Sequence, residues 1–270
     1  MKKLRFAAAG DNCIDRYVSK GVARVGGNAL NVAVHFAKAG QASAYFGAVG
    51  DDEDGAWTRE TLLANGVNAD HLEIRPEITA YTDIGHTASG DRQFLFEEFG
   101  ASGAYFPSAA AVAALSRVDH IHFGLLNGTD RLHGLDGALT TRSIDCAVND
   151  ASSPMDVAFS SAGEDVSPET ELSRLLNRGH KLVVVTRGAK GAIASRGGEI
   201  WSEDAERIEP LDTTGAGDTF IANFLVHWKR YGDVATALRK GIGAATATCL
   251  HYGGFPQDDR MIGRSPHSSD

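Results

Sequence analysis

Short apolar segments alternate with segments of helical periodicity along most of the chain, and this alternation constrains the fold most strongly. Repeated strand–helix units imply a largely parallel sheet with helices on both faces, and ligands of such sheets bind beyond the carboxyl ends of the strands. The predicted strands are residues 4–9, 42–49, 118–123, 144–148, 157–160 and 182–186. The predicted helices are residues 28–39, 56–64, 109–116, 169–177, 216–231 and 234–250.

A stretch in the first half of the chain departs from this alternation. Residues 78–85 and 92–99 are rich in β-forming residues and flank the turn signal Ser89-Gly90-Asp91, which predicts a hairpin. Because a hairpin does not belong in a parallel sheet, we interpret it as part of a small lid over residues 14–25 and 78–100. An antiparallel extension of the main sheet is the alternative. We expect one domain over residues 1–254 and a loose tail over residues 255–270.

The composition excludes several classes of protein. Lys and Arg total 26 against 35 Asp and Glu, and with a net charge of −9 and no basic run we expect no binding to nucleic acid or membrane. The first apolar run meets Asp11 too soon for a signal peptide, and no stretch has the length of a membrane span. The scattered Cys13, Cys146 and Cys249 favour a reduced, cytoplasmic protein without a disulfide framework or a zinc knuckle.

The segment Asp212-Thr213-Thr214-Gly215-Ala216-Gly217-Asp218-Thr219-Phe220 places two glycines and an acid at the start of a predicted helix. Amides at a helix N-terminus are unpaired and carry partial positive charge, so a phosphate could bind there. The alternative is a capped helix after a tight turn, in which Asp218 is a favourable acid in the first turn.

A second segment, Gly26-Gly27-Asn28-Ala29-Leu30-Asn31, opens another predicted helix. The two glycines allow a ligand to approach the backbone, and Asn28 and Asn31 share one helical face. Each amide both donates and accepts hydrogen bonds, so the pair could recognise sugar hydroxyls. A helix cap with an exposed polar stripe is the alternative.

Together these two segments resemble the two signatures of the ribokinase-like (PfkB) carbohydrate kinases, and the resemblance extends over about residues 4–254. Residues 50–55 (GDDEDG) resemble the G-x-D-x-x-G turn of the family, and residues 185–191 (VTRGAKG) resemble its V-T-x-G-x-x-G nucleotide segment. The resemblance implies a three-layer α/β/α sandwich with a mostly parallel central sheet and a small β-strand lid. It also implies transfer of the γ-phosphoryl group of ATP to a sugar hydroxyl.

The resemblance assigns roles to individual residues. Asp218 is expected to be the catalytic base, and Gly215, Ala216 and Gly217 are expected to form an anion hole for the migrating phosphate. The residues expected to bind the sugar are Asp15, Gly27, Asn28, Asn31 and, near the substrate mouth, Arg92. The residues expected to line the ATP site are Thr186, Gly188 and Gly191.

Two metal ions are also implied by the resemblance. Glu164 takes the place of the acid that organises Mg²⁺ and its water, although Ser161 stands where the family usually has Asn. Asp212 and Thr214 match positions that bind a monovalent cation, such as K⁺, in many members.

The substrate is less constrained than the reaction. Residues 10–15, 26–34 and 251–255 most resemble those of fructoselysine 6-kinases, which phosphorylate a fructosamine. Another ketose, ribose or a nucleoside is the alternative, and a non-catalytic sugar-binding regulator is an alternative of another class. Because Phe94, Phe96 and Phe99 cannot all face one way in a regular strand, we expect some of them to pack in a homodimer formed through the lid.

Overall fold

The computed structural model describes residues 2–86, 92–132, 135, 140–149, 153–163 and 166–262, with the side chains of residues 86, 92 and 93 left out. Its strands are β1 (Arg5–Ala9), β2 (Cys13–Tyr17), β3 (Val22–Gly26), β4 (Ala42–Gly50), β5 (Val67–Arg75), β6 (Tyr81–His86), β7 (Arg92–Glu98), β8 (His120–Phe123), β9 (Thr141–Asp145), β10 (Val157–Ser161), β11 (Leu182–Thr186), β12 (Ala192–Arg196), β13 (Glu199–Glu203) and β14 (Arg260–Met261). Its helices are α1 (Asn28–Lys38), α2 (Glu53–Ala64), α3 (Gly100–Gly103), α4 (Ala109–Leu115), α5 (Pro168–Asn177), α6 (Ala216–Tyr231) and α7 (Val234–Thr248).

The main sheet of the described chain has the strand order β13-β12-β11-β10-β9-β8-β1-β4-β5. Its strands pair in parallel from β11 to β5, whereas β12 and β13 are antiparallel additions at one edge. The prediction of a mostly parallel sheet is therefore confirmed. Because the parallel strands all point the same way, their carboxyl ends form one edge at which loops from distant parts of the sequence meet.

Alternate residues of β1 show that both faces of this sheet are buried. Phe6 and Ala8 pack in a core cluster with residues of α1, α2, α6 and α7. Ala7 and Ala9 pack in a second cluster with residues of α3, α4 and α5. Since successive side chains of a strand point to opposite faces, the sheet lies between two helical layers, which confirms the predicted α/β/α sandwich.

A separate sheet, called the lid here, has the strand order β14-β3-β2-β6-β7. It contains the predicted hairpin as β6 and β7, which pair antiparallel, and β2 and β3 from the predicted early segment. The lid strands pair with one another rather than with the main sheet, so the alternative of an extended main sheet is wrong. The predicted turn at residues 89–91 lies outside the described residues.

A bulge in β7 separates its aromatic side chains. Asp83 pairs with Phe96 and Ile84 pairs with Phe94, so Leu95 is an extra residue in β7. Phe94 and Phe96 therefore lie on opposite faces of the lid. The Phe96 ring packs on Tyr81 with 5.7 Å between centroids. The prediction that these aromatics do not all face one way is confirmed.

The strand predicted at residues 144–148 and the loose tail predicted at residues 255–270 need correction, and some strands were missed. The strand predicted at residues 144–148 begins at Thr141 and ends at Asp145, so the chain turns directly after that acid. β5, β12 and β13 are strands that were not predicted. The tail is ordered as far as residue 262, because Phe255 is fully buried and β14 pairs with β3. Residues 263–270 lie outside the described residues.

Candidate active site

Two cavities lie side by side beyond the carboxyl ends of the parallel strands, and Gly217 lines both. The first has a volume of about 360 Å³ and is called the apolar cavity, because Phe159, Phe220, Ile221 and Ile242 are part of its lining. The second has a volume of about 650 Å³ and is called the lid cavity, because residues of β2, β6 and β7 contribute to its lining. The N-terminus of α6 separates the two.

The turn before α6 depends on glycine. Gly215 has a φ of 73°, and a Cβ atom there would lie 2.4 Å from the Gly254 Cα atom. A side chain at this position would therefore meet both backbone strain and a clash. The Ala216 N–H donates to the Thr213 carbonyl over 3.2 Å. Within the described residues, no hydrogen bond uses the N–H groups of Gly217 and Asp218, which leaves these two for an anion.

Asp218 lies in the first turn of α6 and connects the two sequence motifs. Its Oδ1 atom accepts a hydrogen bond of 2.7 Å from Asn28 Nδ2, and its Oδ2 atom accepts one of 2.7 Å from Asn31 Nδ2. The structure thus brings together residues that are up to 190 positions apart in the sequence. The amide oxygens of Asn28 and Asn31 are buried and have no partner among the described residues.

Two further acids, which the sequence analysis did not select, adjoin this centre. Asp145, at the end of β9, accepts a hydrogen bond of 2.9 Å from Asn28 Nδ2. Asp11, just after β1, accepts hydrogen bonds from the backbone N–H groups of Asn28 at 2.7 Å and Ala29 at 3.1 Å. Asp11 therefore caps α1 from a neighbouring strand. An acid at or just after the carboxyl end of β1 and of β9 could have indicated these two residues from the sequence. Because the strand predicted at residues 144–148 extended past Asp145, this acid was placed inside a strand.

Burial and mutual repulsion raise the proton affinity of these acids. Burial raises the pKa of Asp218 well above its usual value, and the charges of Asp145 and Asp11 add to this rise, while the amides of Asn31 and Asn28 oppose it. Burial is also the main reason that the pKa of Asp145 rises to about 6. A carboxylate with a raised pKa is a better acceptor for the proton of an alcohol.

The lid cavity contains most of the residues predicted to bind a sugar. Asp15, Gly27, Asn28 and Asn31 all line it, together with Asp218. Gly27 has a φ of 109°, and a Cβ atom there would lie 2.4 Å from Asn12 Cα, so this position requires glycine. The side chain of the remaining prediction, Arg92, lies outside the described residues, although its backbone begins β7.

The lid itself contributes polar and aromatic residues to this cavity. Thr82 of β6 pairs with Asp15 of β2 and with Glu97 of β7, so these three side chains share one face. Phe94 and Glu98 also contribute to the lining. Among the described lining residues there are five carboxylates and no Lys or Arg; the five are Asp11, Asp15, Glu97, Glu98 and Asp218.

The apolar cavity contains the three residues predicted to line the ATP site. Thr186 ends β11, and Gly188 and Gly191 follow it in the same lining. Gly191 has a φ of 87°, and a Cβ atom there would lie 2.1 Å from the Glu203 carbonyl oxygen. Ser161 and Asp145 line this cavity as well. Glu164, the predicted Mg²⁺ residue, lies outside the described residues.

Asp212 and Thr214, the pair predicted to bind a monovalent cation, contact each other. Asp212 Oδ1 accepts hydrogen bonds from the N–H group of Thr214 at 3.0 Å and from its hydroxyl at 2.7 Å. Asp212 Oδ2 accepts from Gly253 N–H at 2.8 Å and from the Tyr17 hydroxyl at 3.0 Å. Burial raises the pKa of Asp212, but these hydrogen bonds together outweigh it and keep the pKa below its usual value.

In the described part of the chain, no helix combines the length and apolar character needed to cross a membrane.

The sequence model for the "pfkB family carbohydrate kinase" matches residues 5–154 and 156–258. Fructoselysine 6-kinase from Escherichia coli (strain K12) is 31% identical over 260 residues, which cover 93% of this chain and 99% of that protein. Fructosamine kinase FrlD from Bacillus subtilis (strain 168) is 33% identical over 266 residues, covering 93% of each chain.

Solved structures show the same fold at lower sequence identity. A ribokinase from Thermotoga maritima superposes with a TM-score of 0.80 at 19% identity, covering 93% of this chain and 94% of that one. A fructokinase from Vibrio cholerae O395, in a form with fructose, ADP and calcium bound, superposes with a TM-score of 0.76 at 21% identity and the same coverage. Both support the assignment of the ribokinase-like fold.

Proposed function

The chain belongs to the pfkB family of ATP-dependent carbohydrate kinases, and within this family we propose that it phosphorylates a fructosamine, namely fructoselysine at its 6-hydroxyl. Two of the relatives, at 31% and 33% identity, are named as kinases for this class of substrate. The structural observation that favours this substrate is the negative charge of the lid cavity.

The acidic lid cavity favours a cationic substrate over a phosphorylated one. Five carboxylates line it and its described lining has no Lys or Arg, so the described part of the cavity would repel a sugar phosphate. Fructoselysine carries amine groups that are positively charged at neutral pH. Glu97 lies on β7, away from Asp218 on α6, where it can meet the lysine part of the substrate while its sugar lies at Asn28 and Asn31. Plain ribose or fructose offers this acid no partner.

We propose that ATP binds with its base in the apolar cavity and its phosphates at the start of α6. The apolar lining suits a nucleobase, and the free N–H groups of Gly217 and Asp218 suit a phosphate. Mg²⁺ binds proteins through few carboxylates and keeps waters and phosphate oxygens as its other ligands. Asp145 fits this pattern, because it is buried in the same lining and each of its oxygens accepts one described hydrogen bond. Asp145 would hold the ion, which supplies neutralisation of the phosphate charge.

In the proposed reaction, Asp218 accepts the proton of the sugar hydroxyl as the oxygen of that hydroxyl forms a bond to the γ-phosphorus of ATP. The bond between this phosphorus and the bridging oxygen breaks, and ADP leaves. Asn28 and Asn31 orient the Asp218 carboxylate through the hydrogen bonds that they donate to its two oxygens. The lid excludes water, which would otherwise compete as the acceptor.

A panel of acceptors tests this function directly. Release of ADP should be measured with fructoselysine, fructose, ribose and adenosine. We expect kcat/KM for fructoselysine to exceed the others by about tenfold or more, as one charge-assisted contact can provide. A higher value for ribose or adenosine would overturn the substrate assignment. No stimulation by any sugar would favour the non-catalytic regulator.

The charge argument has its own test in Glu97→Gln. Because Glu97 is exposed, its loss should lower kcat/KM for fructoselysine by about twofold to fivefold and leave that for fructose unchanged. Glu199→Gln is the matched control, since Glu199 is an exposed acid on β13 of the main sheet. An equal loss with both sugars would show that Glu97 does not recognise the amine.

We further propose that the lid forms a homodimer. In the lid sheet β7 is an edge strand, and Phe94, Leu95 and Phe99 are 51%, 54% and 50% exposed. A second lid could bury these side chains and pair with the strand edge. Sedimentation of Leu95→Asp should show a monomer, whereas Ile200→Asp, an exposed position on β13, should remain a dimer. A monomeric wild-type protein at micromolar concentration would contradict the proposal.

A further inference from the structure

The carboxylate of Asp212 joins three separate segments of the chain. Among the described residues its four hydrogen-bond donors are the N–H and hydroxyl of Thr214, the N–H of Gly253 and the hydroxyl of Tyr17. Thr214 directly precedes Gly215 at the N-terminus of α6, Gly253 lies in the C-terminal segment, and Tyr17 belongs to lid strand β2. This carboxylate therefore positions the start of the phosphate site.

The hydrogen bonding of Asp212 does not fit a monovalent cation. A carboxylate has about four lone-pair positions, and the four donors occupy two on each oxygen. A cation would have to displace one of them. The tyrosine hydroxyl is the donor that comes from farthest away in the sequence, 195 positions from Asp212. The N–H and hydroxyl of Thr214, in contrast, are local to the turn.

We propose that the Tyr17 hydroxyl replaces the monovalent cation at Asp212, so that phosphoryl transfer by this protein does not depend on K⁺. The hydroxyl supplies a partial positive charge at 3.0 Å from Asp212 Oδ2, on the side of the carboxylate that faces the lid. It thereby connects the lid sheet with the turn that begins the phosphate site. A free cation could not make this connection to the lid.

The surroundings of Tyr17 hold its ring in place. Tyr17 is 2% exposed, and its ring packs edge-on against Tyr252 with 6.4 Å between centroids. The Lys20 ammonium lies 3.1 Å from the Tyr252 ring centroid and 5.9 Å from that of Tyr17. The Lys20 ammonium therefore packs on this ring cluster as a cation–π contact.

The wild-type protein provides the first test, without any substitution. Its thermal unfolding midpoint should be compared in KCl, RbCl and tetramethylammonium chloride at equal ionic strength. A ligand that binds only the folded state raises the midpoint, so we expect no difference among the three salts. Turnover of fructoselysine should likewise differ by less than about twofold between K⁺ and tetramethylammonium. Activation by K⁺ of about tenfold or more would overturn the proposal.

Tyr17→Phe provides the second test, because it removes only the hydroxyl. In tetramethylammonium we expect kcat to fall about 10-fold to 100-fold, the range for a hydrogen bond to a charged group, with smaller changes in the two KM values. K⁺ should restore kcat and raise the unfolding midpoint of this variant alone. A loss that K⁺ does not restore, or wild-type kinetics without K⁺, would overturn the replacement.

Tyr252→Phe is the matched control, since its ring lies in the same cluster but its hydroxyl makes no described hydrogen bond to Asp212. We expect this variant to behave as the wild type in both salts. A K⁺ response in Tyr252→Phe equal to that in Tyr17→Phe would show that any loosening of the cluster creates a cation site. That outcome would also overturn the role of the Tyr17 hydroxyl. The unfolding measurements need no sugar, so an incorrect substrate assignment would leave them interpretable.

Discussion

The two cavities that meet at Gly217 are built from different parts of the fold. The apolar cavity is formed by the ends of main-sheet strands with α6 and α7, and hydrophobic side chains dominate it. The lid cavity adds three lid strands to the main-sheet loops, and its described lining includes five carboxylates and four asparagines. On the function proposed above, we expect the apolar cavity to bind ATP and the lid strands to select the acceptor. The predictions below separate the two sides.

The largest effect is expected from Asp218→Asn, which acts where the two cavities meet. The change removes the proton acceptor but preserves the shape of the side chain. If the Asn31 amide flips, its oxygen can accept a hydrogen bond from the new amide. We expect kcat to fall by about 10²–10⁴-fold, the usual contribution of a general base. Calorimetric titration should show that both the sugar and ATP still bind. A kcat near the wild-type value would reduce Asp218 to a helix-capping residue.

Gly217→Val should come next in size. A Cβ atom at Gly217 would meet no atom of the described residues within 4 Å, so the side chain fits the described structure but projects into space that the phosphate should use. We expect kcat to fall about 10-fold to 100-fold, because blocking the approach of the phosphate to these N–H groups should cost no more than the loss of an oxyanion donor. The unfolding midpoint should change little. Unchanged kinetics in a folded variant would show that the phosphate does not bind at the start of α6. Gly243→Val, also with open space around it, controls for the effect of valine in a helix.

Substitutions on either side of the junction should affect different ligands. Asn31→Ala and Asn28→Ala should each raise KM for the sugar about tenfold, since each removes a hydrogen bond at a charged group, and should lower kcat by disordering Asp218. Thr186→Val should raise KM for ATP and leave KM for the sugar unchanged. Steady-state kinetics with each substrate varied in turn would check both. An equal effect of Asn31→Ala on ATP would contradict the separation of the cavities.

The smallest effect concerns the pH dependence of stability. Because the pKa of Asp145 rises to about 6 on folding, the folded state holds a proton that the unfolded state has lost, and stability falls as pH rises from about 4 to above 6. The loss is at most about 3 kcal/mol. Asp145→Asn lacks this titration. The difference between its free energy of unfolding and that of the wild type should therefore shift in favour of the variant between roughly pH 4.5 and pH 7, as measured by denaturant titration at these two pH values. A constant difference would contradict the raised pKa.

The fold was more predictable than the site because strong local patterns define its main elements. Both bounds of α6 follow from a glycine turn, an apolar helical face and Gly232, which has a φ of 69° at its end. β11 is an uninterrupted apolar strand that was also predicted with both bounds correct. β5 was missed because it is an edge strand with several exposed polar residues, which lacks the apolar run of a central strand.

The site depends on which strand ends meet, and no local pattern encodes this. Asp11 and Asp145 come together because β1, β8 and β9 are neighbours in the sheet. Their contacts with the start of α1 could not be inferred from periodicity alone. The two asparagines were expected to hold the sugar, but their amide nitrogens donate to Asp218. The hydrogen bond between Tyr17 and Asp212 likewise requires the lid to pack against α6, which only the tertiary structure reveals.

The most direct test of the two-cavity account is a crystal structure of Asp218→Asn with fructoselysine, Mg²⁺ and a non-hydrolysable ATP analogue. The account predicts the nucleobase in the apolar cavity, the terminal phosphate at the N–H groups of residues 217 and 218, and the sugar in the lid cavity. The acceptor hydroxyl should lie about 3 Å from the side chain of residue 218, within hydrogen-bonding distance. A nucleotide in the lid cavity, or a well-bound sugar with no hydroxyl near residue 218, would contradict the account.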